Sequence, residues 1–439
     1  MRKRLMALCL AVVMVMGILA GCGSDKDNGK TNDGKDKNAE TVNKLTVWCW
    51  DPAFNINAMN VAADIYKKDH PDFEMEVVEI SSADIIQKLS TSTSAGNTAD
   101  VLPDIILFDD GLIAQEVLSY PDVFMDLTDS GIDFSEFSEG KVAASVVDGK
   151  NYGVPFDSGA AIAAYRVDIL KEAGYTIEDL TDITWSEFIK IGKDVKQKTG
   201  KALLNGQSGY NQITVMLTSC GGSYFDEDGK LNMSDNKKVK RVSELYLEML
   251  EAGVFQEETG WDTYIGNLNN GNVAGAMNGC WIMSSIQAAA DQSGLWAITN
   301  VPKVDGVDGA TNYSSQGGST WTITTECDNP ELAIDFFKST FAGSKEFYDK
   351  ILETSAISTW IPAGESETYQ QESEFFGGQK VYATIVDFTA KIPSCVMGAY
   401  MGTARTAHMT AVTNVAYSGA DLDEELAAAE ETVAFEMGQ

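Results

Sequence analysis

Between Lys44 and Phe108 the chain switches its hydrophobic period four times, and few folds accept such a pattern. KLTVWCW places Leu45, Val47 and Cys49 on one side and Thr46, Trp48 and Trp50 on the other, the period of two that a strand requires. INAMNVAADIYKKDHP follows with Ile56, Met59, Ala63 and Tyr66 at helical spacing and a stop at Pro71. FEMEVVEI reads as a second strand, SADIIQKLSTSTSAG as a helix and DIILF as a short buried strand. Strand, helix, strand, helix and strand within about 65 residues predict a parallel α/β layer.

The middle of the chain is more helical. In TWSEF, Thr184 and Glu187 form a capping box ahead of Trp185, Phe188, Ile189 and Val195. FDEDGKLN (225–232) reads as a hairpin with a turn, and VKRVSELYLEMLEAG as an amphipathic helix stopped at Gly253. WTITT reads as a strand, and NPELAIDFFKSTFAG as a helix capped by Asn329 with Pro330 in its first turn. No repeat of 20–50 residues is visible.

The N-terminus carries a different message. Arg2, Lys3 and Arg4 precede an apolar segment from Leu5 to Ala20, the layout of a signal peptide and too short for a spanning helix. Leu19-Ala20-Gly21-Cys22 resembles the lipobox of bacterial lipoproteins, in which the cysteine sulfur takes a diacylglycerol and the chain is cut just before it. That resemblance implies a leader over residues 1–21 and Cys22 as a lipidated N-terminus, the chain's one contact with a membrane. Residues 22–43 contain almost nothing apolar and read as a flexible tether. Its root-mean-square reach is about 25 Å. An extracellular body anchored to the outer face of a bacterial membrane is expected.

Of the 32 basic residues three lie in the leader, so 29 remain against 65 acidic ones, a net charge of −36. Such a field excludes nucleic-acid backbones as partners and suits a neutral or cationic ligand. The 418 residues beyond the leader exceed what one core serves, so two domains are expected. Cys9 falls in the leader and Cys22 is assigned to lipid. Cys49, Cys220, Cys280, Cys327 and Cys395 are then odd in number, widely spaced and read as buried thiols.

Signals of catalysis are scarce. Only His70 and His408 are present: His70 falls in a polar helix end and His408 in a helical pattern that favours packing. Catalytic triads and histidine-ligated metals are thereby excluded. No nucleophile elbow, dinucleotide fingerprint or phosphate loop occurs, and the acidic turns DEDGK and DGVDG miss the calcium-loop spacing. No cofactor and no enzymatic activity are expected, although 65 acids leave a glycosidase carboxylate pair open.

Eight tryptophans supply the positive signal. Trp50-Asp51-Pro52 stands at the carboxyl end of the first strand, where α/β sheets bind ligands, and Asp109-Asp110 follows DIILF at the same edge. NGCWIMSSIQ sets Trp281 at the start of a helix. Aromatic faces suit the C–H face of a sugar ring, and Asp, Asn and Arg suit its hydroxyl rim. Trp185 and Trp296 lie inside apolar patterns and belong to the core.

KLTVWCWD, LPDIILF, YGVPFDSGAAIAAYR, ITWSEF, CGGSYFDEDGKL, NVAGAMNGCWI and QGGSTWTIT, in that order, resemble the carbohydrate-binding extracellular solute-binding proteins of ABC importers, from about Lys44 to Val433. KLTVWCWDPAFN and GCWIMSSIQ look closest to members that take lactose or arabinose-containing sugars. The resemblance implies two α/β lobes closing over a sugar by hinge bending, one of residues 44–157 with about 319–370 and one of 158–318 with about 371–439. Chain crossings are implied near Asp157-Ser158, just before QGGSTW and near residue 370. The implied ligand contacts are Trp50, Asp51, Phe108, Asp109 and Asp157, then Tyr210, Trp281, Tyr400 and the Gln316-Gly317-Gly318 turn. A monomer docking on ABC permease subunits is implied as well. Two departures, Tyr165-Arg166 in place of Tyr-Asn and no tryptophan in GAYMGTAR, point away from a long α-glucan toward a smaller saccharide. A peptide, a polyamine or glycan hydrolysis are the competing readings.

Overall fold

The computed structural model describes residues 43–52, 54–207, 209–226, 228–352, 356–396 and 400–438. The expected leader, Cys22 and residues 23–42 of the expected tether lie outside the described residues.

The expected parallel layer is present as β1 (Lys44–Cys49), β2 (Glu74–Glu79) and β3 (Ile105–Asp109), with β1 parallel to both neighbours. A short hairpin of β4 (Val146–Val147) and β5 (Lys150–Asn151) leads to β6 (Val154–Pro155) and then β7 (Ala161–Arg166). β8 (Leu204–Gly206) pairs in parallel with β9 (Phe255–Glu257). β10 (Gly275–Gly279), β11 (Trp296–Thr299) and β12 (Ser319–Ile323) complete the set.

Two sheets organise the molecule: a five-stranded one in the order β2-β1-β3-β12-β6 and a three-stranded one in the order β10-β7-β11. β12 runs antiparallel to both β3 and β6, with Ser319 opposite Asp109 and Thr320 opposite Pro155. The chain therefore leaves the first sheet after Pro155, enters the second at Ala161, and returns to the first at Ser319, between β3 and β6.

Period-two alternation decides which core each side chain joins. Leu45, Val47 and Cys49 join Ile105, Leu107, Trp321 and Ile323 in the largest core, whereas Trp48, Ile106 and Phe108 face a smaller one with Ile85 and Leu89. β7 is buried along its whole length and divides likewise, Ile162 and Ala164 joining the largest core and Ala161, Ala163 and Tyr165 a third. Helices Trp185–Thr199, Lys237–Glu251 and Met401–Ser418 line that third core.

Local signals hold at several helix ends. Thr184 and Glu187 form the reciprocal capping box, and the Asn329 side chain accepts from Leu332 N–H ahead of Pro330–Ser339. Gly253, with φ +62°, follows Lys237–Glu251. Among its described residues FDEDGKLN forms an antiparallel bridge, Phe225 to Leu231, with Asp226 N–H donating to Lys230 O at 2.9 Å. Trp185 and Trp296 are fully buried. The five cysteines are free thiols, four of them buried, and Cys395 is half-buried. His408 is fully enclosed, its ring nitrogens 3.0 Å from Tyr224 Oη and 2.7 Å from Ser243 Oγ.

Candidate functional site

The carboxyl ends of β1 and β3 and the start of β12 meet the end of β10 around a cavity of about 280 Å³, lined by Trp50, Phe54, Asn55, Asp109, Asp157, Tyr210, Trp281, Gln316, Gly317, Gly318, Ser319 and Arg405. Eight of the eleven residues named above as ligand contacts are among them. Asp51, Phe108 and Tyr400 are not.

The loop after β1 is held from its far side. Backbone N–H groups of Trp50 and Asp51 both donate to Asn55 Oδ1, at 3.1 and 3.0 Å. Asn55 is buried and opens helix Asn55–Tyr66, so the helix start fixes where the Trp50 ring stands. Asp51 is exposed and its Oδ1 accepts from Phe54 N–H at 3.1 Å. That bond shapes the turn and brings Phe54 to the cavity in its place.

Phe108 does not reach the cavity. It is 1 % exposed and packs edge-on against Phe124, ring centroids 5.6 Å apart. On β3 the residue before the strand end points to the opposite face, and Asp109 is the one that turns toward the cleft. Its Oδ1 accepts from Gly111 N–H at 2.8 Å.

At the crossing, Asp157 is 4 % exposed and already engaged, its Oδ1 accepting from Ser319 N–H at 2.8 Å and Ser319 Oγ at 2.5 Å. Burial pushes its carboxyl above the ordinary range, with Lys141 and Ser319 opposing. Beside it Lys141 Nζ bonds Asp110 Oδ2 at 2.5 Å and Ser319 O at 2.8 Å, and Thr320 Oγ1 donates to Asp110 Oδ1 at 2.7 Å. Burial outweighs that cation and raises Asp110 to about 6. These acids hold the crossing strands together. Asp109 is left as the carboxylate that lines the cavity without a cross-strand bond to keep it.

The far wall comes from the second half. Trp281 stands just before helix Ile282–Gln287, its Nε1 donating to Gln316 O at 3.0 Å. Its ring lies 5.9 Å from Trp261, tilted by 35°, and Trp261 is 39 % exposed, so the two indoles form a platform at the rim. Gln316 Nε2 donates to Asn211 Oδ1 at 2.9 Å, while its buried Oε1 has no partner. Gly317 and Gly318 have φ of +77° and +99°, and a Cβ on Gly318 would sit 2.6 Å from Asp110 Oδ2. Only glycine fits that approach of the turn to the ion pair.

Tyr400 packs on the third core, and its carbonyl accepts from Ala404 N–H at 2.9 Å to start helix Met401–Ser418. The side chain this helix sends to the cavity is Arg405. Its Nη1 donates to Tyr210 Oη at 3.2 Å and its guanidinium lies 5.9 Å from the Tyr210 ring centre. A Cβ on Gly111 would fall 2.9 Å from Arg405 Nη1 and 3.0 Å from Asp109 Oδ1, so both groups stand close over that glycine from opposite halves of the chain. Arg405, Phe54, Asn55, Ser319 and Trp261 were not legible as site residues. Arg405 had a weak signal, being a lone base in an otherwise uncharged helical stretch.

Arg405, Asp109 and Gly317 also line a second cavity, of about 90 Å³. Among the described residues no group of three or more His, Cys, Asp or Glu is placed to hold a metal ion. The arrangement offers aromatic faces, one free-facing carboxylate, one guanidinium and a half-satisfied amide: equipment for holding a polar ring.

Residues 61–377 match the family described as bacterial extracellular solute-binding protein. A lactose-binding protein of Rhizobium radiobacter is 38 % identical over 402 residues, covering 90 % of this chain and 93 % of its own. An arabinooligosaccharide-binding protein of Halalkalibacterium halodurans is 25 % identical over 282 residues, 60 % of each chain. Among solved structures, the galacto-N-biose-/lacto-N-biose I-binding protein of the ABC transporter from Bifidobacterium longum superposes with a TM-score of 0.70 at 17 % identity, covering 89 % of this chain and 96 % of that one, a likeness of fold.

Proposed function

This chain belongs to the bacterial extracellular solute-binding proteins, and from that premise we propose that it captures a di- or oligosaccharide between its two α/β lobes and delivers it intact to an ABC permease. The observation that carries the sugar is the cavity itself, lined by the aromatic rings of Trp50, Phe54 and Trp281 and by the polar groups of Asp109, Gln316 and Arg405, which suit a ring face and its hydroxyls. The named specificity of the lactose-binding relative directs the first choice of probe to lactose.

Residues 44–157 with about 319–370 would form one lobe, and 158–318 with about 371–439 the other. Closure follows if the sugar touches both, since only contacts that differ between open and closed forms shift that equilibrium. Trp50, Asp109 and Asn55 stand on the first lobe in this reading and Tyr210, Trp281 and Arg405 on the second. Anchoring through Cys22 would hold the monomer at the outer face of the membrane, within reach of its permease. A Cys22→Ser variant should then appear in the culture medium instead of the membrane fraction.

A thermal-shift screen of the purified protein against saccharides, peptides and polyamines, with product analysis of each hit, tests the reading. Lactose at 100 times its dissociation constant should add about 2.7 kcal/mol of stability. A saccharide recovered unchanged supports capture. Conversion to products would mean hydrolysis, and a response confined to peptides or polyamines would remove the sugar.

A further inference from the structure

Asp109 ends β3 and Asp110 follows it, yet only Asp109 lines the larger cavity. Both carboxylate oxygens of Asp110 are taken, Oδ2 by Lys141 Nζ at 2.5 Å and Oδ1 by Thr320 Oγ1 at 2.7 Å, and its backbone N–H donates to Gly318 O at 3.1 Å. Lys141 reaches this place from the short helix Glu139–Ala143 and is 8 % exposed. Its ammonium makes a second bond, to Ser319 O at 2.8 Å, and Ser319 in turn donates twice to Asp157.

One side chain therefore ties three separate segments together: the loop after β3, the turn ahead of β12 and the passage at Asp157. Those segments supply half of the residues around the larger cavity, namely Asp109, Asp157 and the run from Gln316 to Ser319. Lys141 is not among them and borders the smaller cavity only. The turn lies directly on the ion pair, since an added Cβ on Gly318 would stand 2.6 Å from Asp110 Oδ2 and 3.0 Å from Lys141 Nζ. At that distance the pair cannot move without moving the turn.

Charge explains why the centre of this arrangement is a cation. Asp109, Asp110 and Asp157 crowd one end of the sheet; Asp109 raises the carboxyls of the other two, and Lys141 lowers both. Taking one partner from a buried pair leaves a charge that must draw in a proton or water, and the backbone resting on it shifts in response. A binding constellation depends on such support, because it works only when held to within about 0.5 Å of its productive geometry.

We propose that Lys141 is a positioning residue of the binding site: paired with Asp110 and Ser319 O, it fixes the Gln316–Ser319 turn against the Asp109 loop and so sets the geometry in which the cavity meets its ligand. The inference rests on the capture reading above. Its charge matters more than its bulk, because the contacts named are to carboxylate and carbonyl oxygens, which an ammonium satisfies and a thioether does not.

Titration calorimetry with lactose at pH 8, where Asp110 is ionised, tests this. Lys141→Met, close in size and without the charge, should weaken binding at least tenfold. Lys141→Arg keeps a cation and should stay within about threefold of wild type, a rescue that a role confined to packing would not give. Asp110→Asn, which keeps the shape, should weaken binding about fivefold or more, and serves if Lys141→Met does not fold. The double variant should be no weaker than Lys141→Met alone, as two groups acting as a unit require. Wild-type affinity in Lys141→Met or Asp110→Asn, equal losses in Lys141→Met and Lys141→Arg, or losses that add in the double variant overturn the positioning role while leaving sugar capture standing. No saccharide binding by wild type, with saturable binding of a peptide or polyamine, overturns the sugar instead, and the same variants titrated with that ligand then decide the role of Lys141.

Discussion

Asp157 and Ser319 lie 162 residues apart and share two hydrogen bonds to a single carboxylate oxygen, from the backbone N–H at 2.8 Å and the hydroxyl at 2.5 Å. The pair joins the strand leaving the first sheet to the strand returning to it. Asp157→Ala strips both donors of their acceptor in a buried place. Hydrogen bonds to a charged group contribute about 1.5–3 kcal/mol each, so a loss of about 3 kcal/mol is expected in urea denaturation. An unchanged midpoint would show that the crossing does not depend on this clasp.

Gly318→Ala tests the same region through the backbone. The residue sits at φ +99°, and its Cβ would be driven into the Asp110–Lys141 pair. Strain in such a region costs on the order of 1–3 kcal/mol before the displaced ion pair is counted. Gly306, also at positive φ but with open space around it, is the control: Gly306→Ala should cost less. Equal losses would mean that conformation alone, not the close approach, governs both.

Trp281→Ala should weaken lactose binding roughly tenfold, given about 0.5–1.5 kcal/mol for an aromatic contact beyond its buried area. Trp261→Ala, one ring further out, should weaken it less. Titration calorimetry reads both, with circular dichroism to verify the fold. Full affinity in Trp281→Ala would take the indole out of the site.

Stability against pH should carry two opposed signatures. Burial lowers His408 to about 4 from an ordinary 6.5, so the unfolded chain takes up that proton first. The stability this represents is complete above pH 6.5 and is lost as pH falls toward 4, by an amount on the order of 3 kcal/mol. Glu116, 3 % exposed in helix Ile113–Ser119, is raised by burial to about 7 from 4.5. Here the folded state keeps the proton, so the cost is absent below pH 4.5 and complete above 7. Glu116→Gln should therefore be more stable than wild type at pH 8, by on the order of 2 kcal/mol, and equal to it at pH 4. A constant difference across that range would contradict the assignment.

Much of this was legible in local pattern. Leu45, Val47 and Cys49 share a face because a strand has a period of two, and the Thr184 and Asn329 caps announce themselves within three residues. What sequence reading missed depends on partners far away. WTITT read correctly as a strand, but nothing in it tells that Trp321 pairs with Leu107 on one side and Val154 on the other. Phe108 was expected at the cleft, yet the register of β3 in the completed sheet turns it inward and leaves Asp109 outside. Arg405 lies in a helix of alanines, threonines and methionines with small residues on every face, so no apolar stripe shows which way its guanidinium is sent.

β12 has a consequence for how the protein is made. It is an interior antiparallel strand, hydrogen-bonded on both edges, and its residues emerge from the ribosome only after everything between β3 and Ser319. Until then β3 has an open edge and β6 has nothing to pair with, so the first sheet stays half-built while more than two hundred further residues are synthesised. Loop closure across that separation is slow. Completion of the first sheet thus waits on one late strand, which closes the open edge of β3 and gives β6 its partner in a single step.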